Sequence, residues 1–192
     1  MIVSPTSIEG ILLIEPVCHE DSRGFFIETY QAERYWNAGI KEEFVQDNQS
    51  RSMRGVLRGM HYQIRRPQAQ IVTVMSGEIF DAVVDLRTWS STFGKWFGTR
   101  LSDSGPRQIY MAAGFAHGFC VLSERAEVHY KVSQRYDRTD EAGLLWDDAD
   151  IGIMWPIIRP DVAQRDALNP KLRDLKQVQL PHQRGSADHK HY

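Results

Sequence analysis

Two side chains that exchange protons readily, an imidazole and a phenol, occur in stretches whose alternation predicts strands. His61 lies in the segment 56–63, and Tyr130 lies in the segment 126–132, where the apolar residues share the phenol's face. The phenol therefore points to the interior, where its hydroxyl requires a partner. A histidine held by a carboxylate takes up protons near neutral pH, and a phenol across a cavity returns them. The candidate carboxylates are Asp81 and Asp166. This division of labour suits epimerisation or enolisation beside a carbonyl, a choice that periodicity alone does not make.

The segment Val56–Gln63 alternates as an extended strand but carries Arg58 and His61 three positions apart. Regular pleating places residues at odd spacing on opposite faces, so both reach one cavity only if the strand is irregular. Gly59, between them, permits a bulge or twist that redirects one side chain. Taken alone, the segment favours an edge strand with a solvated arginine and an ordinary histidine. The rest of the chain reverses that interpretation.

Composition limits the classes of function. The chain has 192 residues, 42% of them hydrophobic, and a formal charge of −2, so no bulk basic field exists for nucleic acid. One domain is expected over residues 1–180, followed by a polar, disordered tail over 181–192. Cys18 and Cys120 are far apart, no signal peptide is evident and no apolar run reaches the length of a membrane span. These features predict a cytoplasmic protein.

Strand-forming runs separated by turn residues recur about every ten positions, which predicts an all-β sandwich or barrel. Ser76-Gly77 signals a compact hairpin, and residues 19–24 predict a loop. A short helix is expected at Gln31–Ala38, ending before Gly39. A second helical segment is expected over Asp161–Lys176, with Leu168, Leu172 and Leu175 on one face and Pro170 as an early interruption.

Metal and nucleophile chemistry find little support. His61 is followed by tyrosine and glutamine, so it lacks a His-x-His partner, and His117 adds only one further imidazole. Two histidines without a carboxylate ligand in register make a weak metal site, so no metal is predicted. Cys120 lies in an apolar run typical of a buried small side chain. No Gly-x-Ser-x-Gly elbow and no glycine-rich phosphate loop occurs. The remaining histidines, His182, His189 and His191, lie in the polar tail.

An ordered series of segments covers the chain from about Ile8 to Leu175. It comprises Asp21–Glu28, Phe44–Asn48, Val56–Gln63, Gly77–Asp81 with Asp85, Ser91–Trp96, Gly114–Phe119, Tyr130-Lys131 with Tyr136, Leu145–Asp148, Ile151–Ile153, Trp155-Pro156 and Arg165-Asp166. Each segment alone is a weak signal, but the ordered series is strong. It resembles the dTDP-4-dehydrorhamnose 3,5-epimerase family of sugar-nucleotide enzymes.

The resemblance implies a cupin-like double-stranded β-helix, or jelly roll, with a few short helices mainly near the C-terminus. It implies a homodimer built by strand exchange near the N-terminus, with no metal and no cofactor. The implied reaction inverts carbon 3, carbon 5 or both of a nucleoside-diphosphate 4-keto-6-deoxy sugar. That reaction would serve deoxysugar or surface-polysaccharide synthesis, such as the O antigen of lipopolysaccharide.

By position in the family pattern, His61 is the implied base, Asp166 orients its imidazole and Tyr130 is the acid on the opposite face of the sugar. Inversion requires that opposition, since one residue on one face would only return the proton it removed. Arg58 would hold the phosphates through charge-assisted hydrogen bonds. The implied substrate-binding residues are Arg23, Phe26, Glu28, Gln46, Asn48, Arg58, Gln70, Asp81, His117 and Tyr136.

The chain departs from the family pattern at two positions. Gln70 stands where the family has a lysine near the sugar's keto oxygen, and Arg135 replaces an aromatic residue just before Tyr136. Either Arg65 or Arg66 restores the missing charge, or the substrate differs, or the activity is weak. Two alternatives to the epimerase therefore stay open. One is a sugar-nucleotide-binding cupin without catalysis, and the other is a metal-dependent cupin whose ligands are His61 and His117.

Overall fold

The computed structural model describes residues 1–183, and strands dominate this part of the chain. The strands are β1 Ile2–Pro5, β2 Ile11–Glu15, β3 Cys18–Asp21, β4 Gly24–Ile27, β5 Gln46–Met53, β6 Val56–Gln63, β7 Gln70–Ser76, β8 Glu78–Asp85, β9 Trp96–Ser102, β10 Gln108–Met111, β11 Phe115–Val121, β12 Arg125–Val132, β13 Glu141–Gly143 and β14 Asp161–Val162. The helices are α1 Ala32–Asn37, α2 Gln164–Ala167 and the 3₁₀ turns Leu172–Asp174 and Gln177–Gln179.

Two large sheets carry the fold. The first has the order β1-β2-β10-β7-β12-β5, and the second has the order β13-β6-β11-β8-β9 with β14 added parallel to β6. All other strand pairings within residues 1–183 are antiparallel, and neighbours in a sheet are seldom neighbours in sequence. This arrangement confirms the predicted all-β jelly roll with few short helices. The pair β3–β4 forms a separate two-stranded hairpin.

Apolar side chains occupy three layers. Between the sheets, residues such as Val72, Ile109 and Val128 of the first sheet meet Val83 and Phe119 of the second. The outer face of the first sheet is covered by α1 and the residues beside it, and the outer face of the second is covered by residues 144–180. Because the second sheet is covered on both faces, every residue of β11 is buried.

The hairpin predicted at Ser76-Gly77 is wrong. Strand β7 belongs to the first sheet and β8 to the second, so these two residues form a corner between sheets. Gly77 has a φ of +83°, and a Cβ there would collide with the carbonyl oxygen of Arg125 and the hydroxyl of Ser123. The sequence signal marked a sharp turn correctly, but a local signal does not say which strands pair.

The helix α1 confirms the prediction at Gln31–Ala38, but two other expectations are wrong. Residues 19–24 form most of the β3–β4 hairpin instead of a loop. The segment Asp161–Lys176 begins as a strand because the backbone NH of Asp161 donates to the carbonyl of Gly55 at 2.8 Å, which ties it to the start of β6. Only four residues of α2 follow, and Pro170, which lacks an NH, ends any continuation.

The described chain ends against the second sheet. Leu180 and Pro181 are buried, and the NH of His182 donates to the carbonyl of Ile64 at 2.8 Å. The rest of the predicted tail, including His189 and His191, lies outside the described residues. Within residues 1–183, no helix is long and apolar enough to cross a membrane.

Candidate active site

A cavity of about 680 Å³ opens between the two sheets, beside α2. Strands β5, β7 and β12 form one wall, and β6, β11 and β13 form the other. Its lining contains most of the candidates from the sequence: Gln46, Asn48, Arg58, His61, Gln70, His117, Tyr130, Tyr136 and Asp166. Residues up to 120 positions apart thus meet in one place (Gln46 and Asp166), which no local pattern predicts.

An irregularity in β6 delivers both Arg58 and His61 to this cavity. His61 pairs with His117 and Arg58 pairs with Phe119, so two residues of β6 oppose the single residue Gly118. This bulge confirms the role expected of Gly59, whose φ is +127°. The two glycines permit the close approach, because a Cβ on Gly59 would lie 2.6 Å from the Cα of Gly118.

His61 and Asp166 form a hydrogen-bonded pair, with Nε2 and Oδ1 2.8 Å apart. The second carboxylate oxygen of Asp166 accepts from the NH of Gly59 at 3.4 Å. Burial opposes ionisation of Asp166, but the hydrogen bond and charge of His61, the Gly59 NH and the charge of Arg165 outweigh it and lower the carboxyl pKa. An ionised Asp166 accepts a hydrogen bond from Nε2–H, which leaves Nδ1 as the basic nitrogen of the ring.

Tyr130 lies on β12, in the sheet opposite His61, and pairs with Asn48 of β5. Burial raises the pKa of its phenol, the charge of Arg58 opposes that rise and the carboxylate of Glu141 adds to it. The phenol therefore stays protonated well above neutral pH. The interior orientation predicted from the alternation is what the structure has, since Tyr130 packs against the inter-sheet core.

A second histidine–aspartate pair lies beside the first. His117 lines the cavity, and its Nε2 lies 2.8 Å from Oδ2 of Asp81. Asp81 itself is fully buried and is not among the lining residues, so its link to the cavity is the hydrogen bond with His117. Its other oxygen, Oδ1, has no hydrogen-bond partner among the described residues.

Gln70 lines the cavity with an amide oxygen, Oε1, that is buried and has no hydrogen-bond partner within residues 1–183. Neither arginine expected to restore the missing lysine charge lines the cavity. Arg65 donates from Nε to Asp140 at 2.8 Å, and Arg66 donates its backbone NH to the same carboxylate. The expectation that Arg65 or Arg66 restores the positive charge missing at position 70 is therefore wrong.

The cavity mouth is held by amide and hydroxyl contacts. Gln46 donates to Asn48 at 2.8 Å and accepts the backbone NH of Tyr136 at 3.0 Å, so it anchors the loop that carries this tyrosine. The exposed Arg58 donates from Nε to the hydroxyl of Ser52 at 2.9 Å, which fixes its direction.

Three candidates lie away from the cavity in the single chain. Arg23 and Phe26 belong to the β3–β4 hairpin, where Arg23 pairs with Asp21 and Phe26 is 71% exposed. Glu28 follows the hairpin and pairs with Arg34. None of the three is among the residues that line the cavity.

Several lining residues escaped the sequence reasoning: Ser50, Gln68, Glu141, Asp161 and Arg165. Ser50 continues the inward alternation of Gln46 and Asn48 along β5, a signal that was available. Glu141 and Arg165 lie on short elements without a periodic pattern. The segments that carry the family resemblance include Arg165 beside Asp166, but they assign it no role. The hydroxyl of Ser50 is buried without a partner among the described residues.

A metal site would need further ligands. Within the described chain, no group of three or more His, Cys, Asp or Glu side chains is arranged to hold a metal ion. His61 and His117 each place Nε2 2.8 Å from a carboxylate oxygen.

Comparison with known proteins adds the relatives of this chain. A family profile described as dTDP-4-dehydrorhamnose 3,5-epimerase matches residues 5–174. The dTDP-4-dehydrorhamnose 3,5-epimerase of Methanothermobacter thermautotrophicus is 45% identical over 172 residues, which cover 88% of this chain and 93% of the relative. The dTDP-4-dehydrorhamnose 3-epimerase of Streptomyces niveus is 41% identical over 168 residues, and this alignment covers 86% of this chain and 81% of the relative.

Among solved structures, the dTDP-6-deoxy-D-glucose-3,5-epimerase of Legionella pneumophila, in complex with dTDP-4-keto-L-rhamnose, aligns with a TM-score of 0.92. It is 41% identical, and the alignment covers 96% of this chain and 99% of that chain. Profile, sequence and fold point the same way: the chain belongs to the dTDP-4-dehydrorhamnose 3,5-epimerase family, whose members are isomerases.

Proposed function

We propose that this protein is an epimerase that inverts carbon 3, carbon 5 or both of a dTDP-4-keto-6-deoxy sugar without a metal. One observation carries the proposal: an imidazole held by a buried carboxylate faces a cavity whose opposite sheet supplies a protonated phenol. Family membership supplies the substrate class, because the relatives are named for dTDP-4-keto sugars. The end product of the surrounding pathway is a deoxysugar for surface polysaccharide or a glycosylated metabolite.

In this proposal His61 is the base. A ketone at carbon 4 acidifies the hydrogens of carbons 3 and 5, and Nδ1 of His61 removes one of them. The electrons of the broken C–H bond pass into the carbonyl and give an enolate. Asp166 holds the ring in the required tautomer and stabilises the imidazolium that forms, as carboxylates do beside catalytic histidines.

Tyr130 then donates its hydroxyl proton to the opposite face of the same carbon, and the enolate returns to the ketone. The raised pKa of Tyr130 supports this role, since only a protonated phenol can donate. Solvent restores the proton of Tyr130 and removes that of His61 once the product leaves. The opposed sheets supply the two-sided arrangement that inversion requires.

We assign Arg58 to the diphosphate and Gln70 to the developing enolate oxygen. Arg58 carries its charge at the cavity wall, held by Ser52, and a guanidinium pairs well with phosphate oxygens. Gln70 presents an amide where the family has lysine, so it offers a hydrogen bond from an uncharged donor in place of an ion pair. His117, fixed by Asp81, Asn48 and the aromatic ring of Tyr136 supply the remaining contacts to sugar and nucleotide.

We further propose a homodimer in which the β3–β4 hairpin completes the partner's cavity. Phe25 and Phe26 are 68% and 71% exposed on this hairpin, a large apolar surface to leave in water. Arg23, Phe26 and Glu28 would then contact nucleotide and sugar in the neighbouring protomer. Both cysteines are unpaired, which supports a reducing, cytoplasmic compartment.

Isotope exchange tests the proposal. The protein is incubated in deuterated water with dTDP-4-keto-6-deoxyglucose, and carbons 3 and 5 are followed by NMR and mass spectrometry. Label at both carbons defines a 3,5-epimerase, and label at one carbon defines a single-position enzyme such as the Streptomyces niveus relative is named for. His61→Asn should abolish label at both positions.

His129→Asn is the matched control, because His129 lies beside Tyr130 on β12 but is absent from the cavity lining. Tyr130→Phe should retain exchange on one face of the sugar while inversion is lost.

The uncharged side chain of Gln70 favours one alternative function, that of a protein that binds dTDP sugars without catalysis. Micromolar binding by calorimetry together with no exchange in the wild-type protein would establish that rival.

A further inference from the structure

The carboxylate that holds the base is shared with a second cation. Oδ1 of Asp166 lies 2.8 Å from Nε2 of His61 and 3.3 Å from Nε of Arg165. Arg165 also reaches the carboxylate of Glu141, with NH1 3.3 Å from Oε2. That same oxygen accepts the hydroxyl of Tyr136 at 3.0 Å. A continuous polar chain therefore runs from the cavity mouth to the imidazole.

We propose that Arg165 is a positioning residue that sets the pH at which His61 becomes a base. The inference rests on the proposed function, because it concerns the base of that reaction. The positive charge of Arg165 offsets part of the negative charge of Asp166, so Asp166 stabilises the imidazolium form of His61 less. Glu141 limits this effect, because it holds the other end of the guanidinium and neutralises part of its charge.

Other charged or titratable groups line the same cavity as His61. They are Arg58 on β6, His117 on β11, Tyr130 on β12, Tyr136 in the loop after β12, Glu141 on β13 and Asp161 on β14. Among the described residues that line the cavity, Arg58 is the only other arginine, and it donates to Ser52. Among the residues described, only Arg165 contacts the oxygen of Asp166 that also contacts His61.

The test compares two variants in which the acid limb of the pH profile of kcat/KM should move in opposite directions. In Arg165→Gln the imidazolium gains the full carboxylate, so the acid limb of kcat/KM moves to higher pH by roughly half a unit, reduced by solvent screening of the exposed arginine. In Glu141→Gln a negative charge is lost, and Arg165, no longer paired with Glu141, interacts more strongly with Asp166. The acid limb of the kcat/KM profile therefore moves to lower pH. Arg165→Lys keeps a charge near Asp166 and should lie close to wild type.

Arg173→Gln is the matched control. Arg173 is 61% exposed and paired with Asp150, while Arg165 is 63% exposed, but Arg173 is outside the cavity lining. Its loss should leave the profile unchanged. A merely structural role of Arg165 would lower kcat or raise KM without moving the limb.

A readout without turnover separates this inference from the proposed function. The ring signals of His61, assigned by their loss in His61→Asn, are titrated by NMR in the free protein. The same opposite shifts are expected in Arg165→Gln and Glu141→Gln. Identical titration in Arg165→Gln and wild type would overturn the role of Arg165. Absence of isotope exchange would overturn the epimerase alone, because the titration needs no substrate.

Discussion

At the scale of single residues, Gln70 is the cavity residue that departs from the pattern of the family. Its amide oxygen is buried and has no hydrogen-bond partner within residues 1–183, and neither Arg65 nor Arg66 is among the cavity-lining residues. An amide donor to an enolate oxygen lacks the Coulomb attraction that the positive charge of an ammonium group adds. In the proposed reaction, Gln70 would therefore stabilise the enolate less than a lysine would.

Restoring the charge at this position should raise the rate. We expect Gln70→Lys to increase kcat about tenfold, since the transition state gains on the order of 1.4 kcal/mol from the positive charge beside the enolate oxygen. Gln70→Leu, which removes the donor altogether, should lower kcat about 100-fold. Single-turnover measurements with the dTDP sugar separate these effects from binding. Equal rates in wild type and Gln70→Leu would contradict any role for the amide.

The same residues show what the sequence could predict. Alternation on β12 placed Tyr130 inside, and the spacing of Arg58 and His61 around Gly59 required an irregular strand, and both predictions are confirmed. The contact of His61 with Asp166 spans 105 positions and follows only from the family resemblance. Arg165 was not recognised because an exposed arginine in a four-residue helix has no distinguishing pattern.

At the scale of elements, the close pairing of β6 with β11 positions the two histidines of the histidine–aspartate pairs. Gly118 has no strained backbone angle, so only the space it leaves matters: a Cβ there would meet the sulfur of Met60 at 2.6 Å and the carbonyl oxygen of Arg58 at 2.8 Å. We expect Gly118→Ala to push the strands apart and to cost about 2–3 kcal/mol of the free energy of unfolding. Activity should fall further, because His61 and His117 both move.

Urea unfolding and kcat measure these two effects. Gly105→Ala is the control, because Gly105 lies in a loop where a Cβ would approach no atom closer than 4.0 Å. A Gly118→Ala variant with wild-type stability would mean that β6 and β11 separate easily, and that the bulge does not fix the histidines.

The predicted secondary structure is wrong where strands pair with partners distant in sequence. Ser76-Gly77 carries a hairpin signal, yet the chain crosses between sheets there, because β7 and β8 each find better partners distant in sequence. The predicted C-terminal helix gave way to β14 because a backbone hydrogen bond to Gly55 holds Asp161 extended. Residue periodicity records burial, but it does not record which element supplies the other side of the contact.

At the scale of the whole molecule, buried carboxylates make the fold sensitive to acid. Burial opposes ionisation of Asp85, but hydrogen bonds from Arg87, Ser90 and Thr92 outweigh it and lower its pKa. A lowered carboxyl pKa stabilises the fold above the unfolded pKa of about 4, and this stabilisation is lost as pH falls through the folded value. The free energy of unfolding should therefore be nearly flat from about pH 5 to 7 and decline below about pH 4.

Urea unfolding across this pH range, with Asp85→Asn alongside, checks the assignment. The variant should lose about 2–4 kcal/mol at neutral pH and should show a shallower decline in acid. Asp174→Asn, at an exposed carboxylate, should match wild type at every pH. A decline in acid that is equally steep in Asp85→Asn would assign the sensitivity to other groups.

In the proposed homodimer, the hairpin of one chain completes the cavity of the other, and mixed dimers can test this exchange. One protomer carries His61→Asn, which removes the base, and the other carries Arg23→Ala with Phe26→Ala, which disables the exposed hairpin. If each hairpin serves the partner's cavity, co-expression should restore about a quarter of wild-type activity, because half the dimers are mixed and each has one intact site. If the hairpin serves its own chain, both sites of a mixed dimer are damaged and activity does not return. His61→Asn co-expressed with Tyr130→Phe is the control, since both residues line one chain's cavity, and it should restore nothing.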